Sequence, residues 1–174
     1  MYNANLYTLI CNYFTGNNMI KLGDKIPEIT LVDTELKPFN LSSIKGKATL
    51  LAFFPGAFTG VCTKELCTFK DSMEKLNSLN STILGISVDG PFSNKAFKEQ
   101  NRLNFTILSD YNKEAVRSFG IELNNFAGLA GYVAAKRSVF LVNKNGIVSY
   151  IWISDDPTIE PDYNIIISEI AKLK

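Results

Sequence analysis

The sequence predicts an α/β fold with a mixed central sheet, and three observations carry that expectation. Two apolar runs, Thr49–Phe54 and Thr82–Val88, flank a stretch of helical periodicity. Further on, an Asn-Gly turn joins two alternating runs. An amphipathic segment closes the chain. Strands buried on both faces read as near-continuous hydrophobic runs, half-buried strands alternate, and helices repeat every 3.6 residues.

The elements follow in order. Thr49 to Phe54 comes just after Gly46 and reads as a buried central strand. Residues 60–79 place Leu66, Phe69, Met73 and Leu76 on one helical face. Thr82 to Val88, with Ile83, Leu84, Ile86 and Val88, is a second buried strand. Residues 91–102 form a short helix entered at Pro91, where a missing N–H costs nothing. Phe105 to Leu108 is a short strand, and Lys113 to Phe119 a helix ended by Gly120. Ser138 to Val142 and Ile147 to Ile153 are strands joined by the turn Asn143-Lys144-Asn145-Gly146. Ile165 to Leu173 is the closing helix after Pro161. A βαβ core, then an antiparallel hairpin and a last helix, is the order of a thioredoxin-like fold, a central mixed β-sheet flanked by helices.

No repeat or linker interrupts this pattern, so residues 19–174 are expected to form one domain, large enough to need no staples. Residues 1–18 contain no Lys, Arg, Asp or Glu, and five of them are Asn. They show neither the basic start of a secretory signal nor the arginines of a transit peptide, and are expected to lie outside the fold.

Composition removes several functional classes. With 18 Lys plus Arg against 17 Asp plus Glu, the net charge of +1 gives no electrostatic reason to expect nucleic acid or an anionic membrane as partner. No apolar run approaches the roughly 18–20 residues of a spanning helix. The chain has no histidine, which excludes Ser-His-Asp and Cys-His units and HExxH zinc chemistry. The three cysteines, Cys11, Cys62 and Cys67, cannot alone complete a common four-ligand zinc site. An odd, low cysteine count fits a reducing compartment, and the cytoplasm is the expected location.

The richest stretch runs from Phe53 to Cys67. A buried strand stops at Pro55, a loop with two glycines follows, and a helix starts near Thr59 to Val61. Cys62 therefore falls in a first helical turn, past the carboxyl end of a central strand, where open α/β sheets gather ligands. Unpaired N–H groups and the helix dipole stabilise an anion there. A free thiol with pKa about 8.5 is roughly 3% thiolate at pH 7, against roughly 90% at a pKa of about 6. Thr59, one turn earlier, can offer its hydroxyl to the sulfur and to an incoming oxygen. Pro55 can wall the pocket without a competing N–H. The same residues also suit a bland reading: a buried inert thiol, a capping threonine and a strand-ending proline.

Pro55-Gly-Ala-Phe-Thr59-Gly-Val-Cys62 resembles the peroxiredoxin active-site signature, Pro-x-x-x-Thr-x-x-Cys. The resemblance extends over nearly all of residues 19–174. Gly23-Asp24-Lys25-Ile26-Pro27 with Thr30-Leu31 looks like the family's opening, and Ser87-Val88-Asp89 like its next strand end. Lys136-Arg137-Ser138-Val139-Phe140-Leu141-Val142 is similar to the strand that carries its active-site arginine. Gly60 departs from the proline of many members, implying a looser loop. The resemblance implies that Cys62 is the peroxidatic cysteine, that Thr59 and Pro55 shape its pocket, that Arg137 supplies a guanidinium, and that Glu65 helps hold that arginine. A guanidinium suits both a thiolate and developing charge on a peroxide oxygen. Arg102 and Arg117, the other arginines, are read as solvated. The implied chemistry is thiolate attack on an O–O bond to give a sulfenic acid, with no metal or organic cofactor.

Cys67 is the candidate resolving thiol. Five residues along a helix it points about 140° away from Cys62, with Cα atoms roughly 8–9 Å apart. A disulfide needs about 7 Å or less, so the pair closes only if the first turns unwind. The Cys62-to-Cys67 run resembles Q-type peroxiredoxins, where the later cysteine resolves, and also one-cysteine alkyl hydroperoxide reductase-like members, where an external thiol does. A buried packing role for Cys67 stays open, and Cys11 is a weak candidate. A thioredoxin-like or other dithiol reductant and a homodimer are the partners the resemblance implies. Two competing classes are a dithiol oxidoreductase, which lacks its Cys-x-x-Cys here, and a silent thioredoxin-fold module, which would not need Thr59 or Arg137.

Overall fold

The computed structural model describes residues 19–173, so the expectation for residues 1–18 lies outside the described residues. The described residues include two short early strands that the sequence reading missed, β1 (Thr30–Asp33) and β2 (Pro38–Asn40). Their turn is a side-chain device: the Asp33 carboxylate accepts the N–H groups of Glu35 and Lys37 at 2.8 and 2.9 Å. Next come β3 (Ala48–Phe53), α1 (Gly60–Asp71), α2 (Met73–Ser78), β4 (Ser81–Ser87) and α3 (Pro91–Gln100). β5 (Thr106–Ser109), α4 (Glu114–Ser118), and the two-residue strands β6 (Glu122–Leu123) and β7 (Ala134–Ala135) follow. The chain ends with β8 (Ser138–Val142), β9 (Val148–Ile153) and α5 (Tyr163–Ala171).

Seven strands form one sheet in the order β2-β1-β5-β4-β3-β8-β9. β3, β4 and β5 run parallel, and β1, β2, β8 and β9 add antiparallel edges, which gives the expected mixed thioredoxin-like sheet. β3 is buried at all six positions because it lies inside the sheet with a core on each face. Leu51 and Phe53 join one cluster with Phe119 and Phe140. Leu50, Ala52 and Phe54 join the other, which also holds Cys62, Leu66 and Phe69. The period-2 alternation of β3 thus decides which core receives the helix that bears the cysteine.

Two expected helices change shape. The single helix 60–79 is divided at Ser72, whose N–H reaches both Thr68 and Phe69 carbonyls at 3.1 Å and whose hydroxyl donates to Thr68 O at 2.9 Å. Serine side chains that bond backward in this way compete with regular helix geometry. The last helix begins at Tyr163 rather than Ile165, because Asp162 caps it and accepts from the N–H groups of Asn164 and Ile165. No helix among the described residues is long and apolar enough to cross a membrane.

Candidate active site

The site is built where β3 ends. Phe54 N–H still bonds Ile86 O at 3.0 Å, and pairing stops at Pro55, which has no N–H to give. The loop is then fastened by Asp89, just past β4. Its Oδ2 accepts from Ala57 N–H at 2.8 Å and from the Ser87 hydroxyl at 2.9 Å. Phe58 adopts a left-handed φ of 65°, and its ring meets Phe97 edge-on at 5.3 Å. Thr59 is extended, and α1 begins at Gly60 with its first bond from Thr63 N–H to Thr59 O. Cys62 is therefore in the first turn, as expected, and it is completely buried.

Arg137 reaches it by register. β3 pairs with β8 so that Phe53 faces Ser138, which puts the residue before Ser138 level with the loop beyond Phe53. The Arg137 guanidinium is 1% exposed. Nη2 donates to Cys62 Sγ at 3.3 Å and Nη1 to Glu65 Oε2. Nε and Nη2 both donate to the Pro157 carbonyl, at 3.0 and 2.7 Å. Glu65 lies one turn after Cys62 on α1 and is also wholly buried, with Oε1 lacking any partner among the described residues. Burial pushes its carboxyl up to about 7 against the pull of Arg137, and Glu160 nearby adds to the rise. Burial works against the Arg137 charge, but Glu65 and the Cys62 sulfur outweigh it and hold the guanidinium protonated.

A cleft of about 140 Å³ lies beside Cys62, lined by Pro55, Thr59, Cys62, Phe126, Arg137 and Pro157 among others. That volume leaves room for a small guest. One expectation is corrected. The Thr59 hydroxyl does not bond the sulfur; it donates to Gly56 O at 3.1 Å, because the loop folds that carbonyl back within reach. Its oxygen keeps lone pairs for a guest. Gly60 is the first helical residue, and a Cβ there would meet nothing within 4 Å.

The structure brings Pro55, Thr59, Cys62 and Arg137 to one cleft and puts Glu65 behind the guanidinium. Cys67 is apart: half-buried, packed against the apolar cluster, on an unbroken helix with Cys62. Arg117 is exposed and paired with Glu122, in keeping with a solvated role. Sequence reasoning missed three contributors. Asp89 could have been suspected as an acid at a central strand end. Phe126 sits in an irregular loop, and Pro157 acts through its backbone, which leaves no mark in residue type.

Known proteins resemble this chain in both sequence and fold. The AhpC/TSA family model matches residues 22–151. The chain is 33% identical over 133 residues to a putative peroxiredoxin bcp of Coxiella burnetii, covering 76% of this chain and 88% of that protein. It is 35% identical over 143 residues to a chloroplastic peroxiredoxin Q of Oryza sativa subsp. japonica, covering 79% of this chain and 64% of the plant protein. This chain therefore spans less than two thirds of that relative's length. A crystal structure of a peroxiredoxin-like protein from Aquifex aeolicus superposes with a TM-score of 0.79 at 27% identity, over 90% of this chain and 89% of that one. With the family model covering most of the domain and the sheet matching in three dimensions, the chain belongs to the AhpC/TSA family and, within it, to the peroxiredoxins.

Proposed function

We propose that this chain is a thiol-dependent peroxidase that reduces hydrogen peroxide and organic hydroperoxides, in antioxidant defence and redox homeostasis. The observation that carries the reading is the Arg137 Nη2–Cys62 Sγ hydrogen bond at the base of a cleft. A buried cation with an N–H aimed at sulfur stabilises negative charge there. The Cys62 sulfur attacks the near peroxide oxygen; an S–O bond forms, the O–O bond breaks, and the far oxygen leaves as water or alcohol after taking a proton. The sulfur is oxidised to a sulfenic acid. The guanidinium meets charge as it moves from sulfur to the leaving oxygen. Thr59, its proton engaged by Gly56, accepts the hydroperoxide O–H, and Pro55 walls the cleft. Glu65 positions Arg137.

A thiol then condenses with the sulfenic acid, releasing water and forming a disulfide. Cys67 supplies that thiol if α1 unwinds; otherwise an external thiol does. A thioredoxin-like or other dithiol reductant returns the enzyme to its starting state. Pairing into a homodimer is part of the proposal, supported by the exposed rings of Phe58 and Phe92 on the cleft loop and on the helix that packs against it. The cytoplasm remains the proposed compartment, on cysteine usage. The experiment is peroxide consumption with a dithiol donor, run beside the Cys62→Ser variant and beside insulin disulfide reduction. Consumption that needs Cys62, without insulin reduction, supports the reading; consumption indifferent to Cys62 refutes it. Mass spectrometry of the peroxide-treated protein locates any Cys62–Cys67 bond.

A further inference from the structure

Among the described residues Arg137 has three hydrogen-bond partners, of which two, Cys62 and Glu65, belong to α1. The third, the Pro157 carbonyl, takes two of its N–H groups. Pro157 lies between β9 and α5, beyond residue 151 where the family match ends. The segment around it is tightly organised. Ser154 N–H donates to the carbonyl of Arg137 itself at 3.0 Å. The Ser154 hydroxyl donates to Asp156 O at 2.7 Å. Asp156 Oδ1 accepts from both Thr158 N–H, at 2.8 Å, and the Thr158 hydroxyl, at 2.6 Å. Lys136 pairs with Asp155 alongside. These bonds bracket Pro157 on both sides and set the direction of its carbonyl.

The choice of a carbonyl matters electrostatically. It satisfies two guanidinium donors with its two lone pairs and adds no net charge. A second carboxylate in its place would oppose the negative charge that the cation is there to stabilise on sulfur. We propose that the turn Ser154–Thr158, organised by the Asp156 side chain, is a neutral clamp that aims Arg137 at the Cys62 sulfur. The inference rests on the peroxidase reading above. It makes Asp156 a positioning residue that touches neither substrate nor sulfur. The clamp's own hydrogen bonds run within the turn and to Arg137, not to α1, although Lys64 of α1 pairs with Glu160 two residues beyond it, so the clamp holds Arg137 in place while the first turns of that helix unwind and return.

The test uses the full chain and measures the rate constant for the first equivalent of peroxide across pH, with thermal melting as a check on folding. Asp156→Ala removes the acceptor of both Thr158 bonds, whereas Asp156→Asn keeps an oxygen acceptor and removes the charge. Asp156→Ala is expected to lose about tenfold at pH 7 with its half-maximal rate moved to higher pH, while Asp156→Asn stays within about twofold of the parent. Ser154→Ala, which deletes the bond to the Asp156 carbonyl, should show a smaller shift in the same direction and carries the test if Asp156→Ala does not fold. An unchanged pH profile in the folded variant overturns the clamp. So does a loss in Asp156→Asn equal to that in Asp156→Ala, which would assign the effect to charge rather than to the turn. A parent protein that consumes no peroxide, or does so without Cys62, overturns the peroxidase reading instead, and the clamp with it.

Discussion

The first and second turns of α1 each carry a cysteine, and the two sulfurs live in different surroundings. Cys62 is wholly buried yet meets a cation and a cleft. Cys67 is half-buried and packs against apolar neighbours. If Cys62 is the attacking thiol, as proposed, burial does not by itself decide reactivity, and the charge facing each sulfur is what separates the two. The contrast also shows why the two sulfurs cannot meet in the folded helix, since five residues of α-helix separate their Cα atoms by more than a disulfide tolerates.

The largest effect is expected at the first turn. Cys62→Ser should abolish peroxide turnover, because a hydroxyl supplies almost no anion near neutral pH; this is read as peroxide loss with a saturating dithiol donor. Arg137→Lys should follow, with at least about a tenfold fall in the first-equivalent rate constant, since a point charge cannot serve sulfur, Glu65 and Pro157 in one plane. A change within about threefold, under ~0.7 kcal/mol of barrier, would remove the guanidinium from the chemistry.

Glu65 sharpens the comparison between the turns because it lies between them. Its carboxyl rises from the ordinary 4.5 to about 7 on burial. Between those two values the native state binds more protons than the unfolded chain, so stability should fall as pH rises through that window and level off above it. Glu65→Gln should flatten this decline, seen as a melting temperature that no longer drops from pH 5 to pH 7. A parent protein whose melting temperature rises over that range would show that Arg137 outweighs burial at Glu65.

The smallest effect on the first step is expected at the second turn. Cys67→Ser should leave the first-equivalent rate constant within about twofold and instead stall turnover with a bulky protein donor, with more sulfinic over-oxidation at Cys62. In the parent, oxidation should raise amide exchange across residues 59–70 as the first turns open. Equal turnover in parent and variant would make Cys67 a packing residue and assign resolution to an external thiol.

The central fold was legible because its signals are strong and local. β3, β4 and the hairpin β8–β9 declare themselves through apolar runs and an Asn-Gly turn. β1, β2, β6 and β7 escaped notice, since strands this short show little period and, unlike the four-residue β5, they lack a continuous apolar run between predicted helices. The break at Ser72 depends on a side-chain bond that the apolar spacing of Leu66, Phe69, Met73 and Leu76 does not reveal. At the site, Cys62, Thr59 and Pro55 were readable from strand, loop and helix start. Arg137 and Glu65 came through resemblance, because nothing in their spacing from Cys62 predicts contact.

Residue order alone was enough to specify a buried strand, a loop ended by Thr59 and a thiol in a first helical turn, since each depends on neighbours within one or two turns of chain. The partners of that thiol depended on folding. The β3–β8 register sets Arg137 level with the loop beyond Phe53, Asp89 fastens that loop from the next strand, and the Pro157 carbonyl arrives from a turn 20 residues after Arg137. Sheet pairing and backbone carbonyls carry no side-chain signature, so their contribution to the site exists only once the strands are side by side.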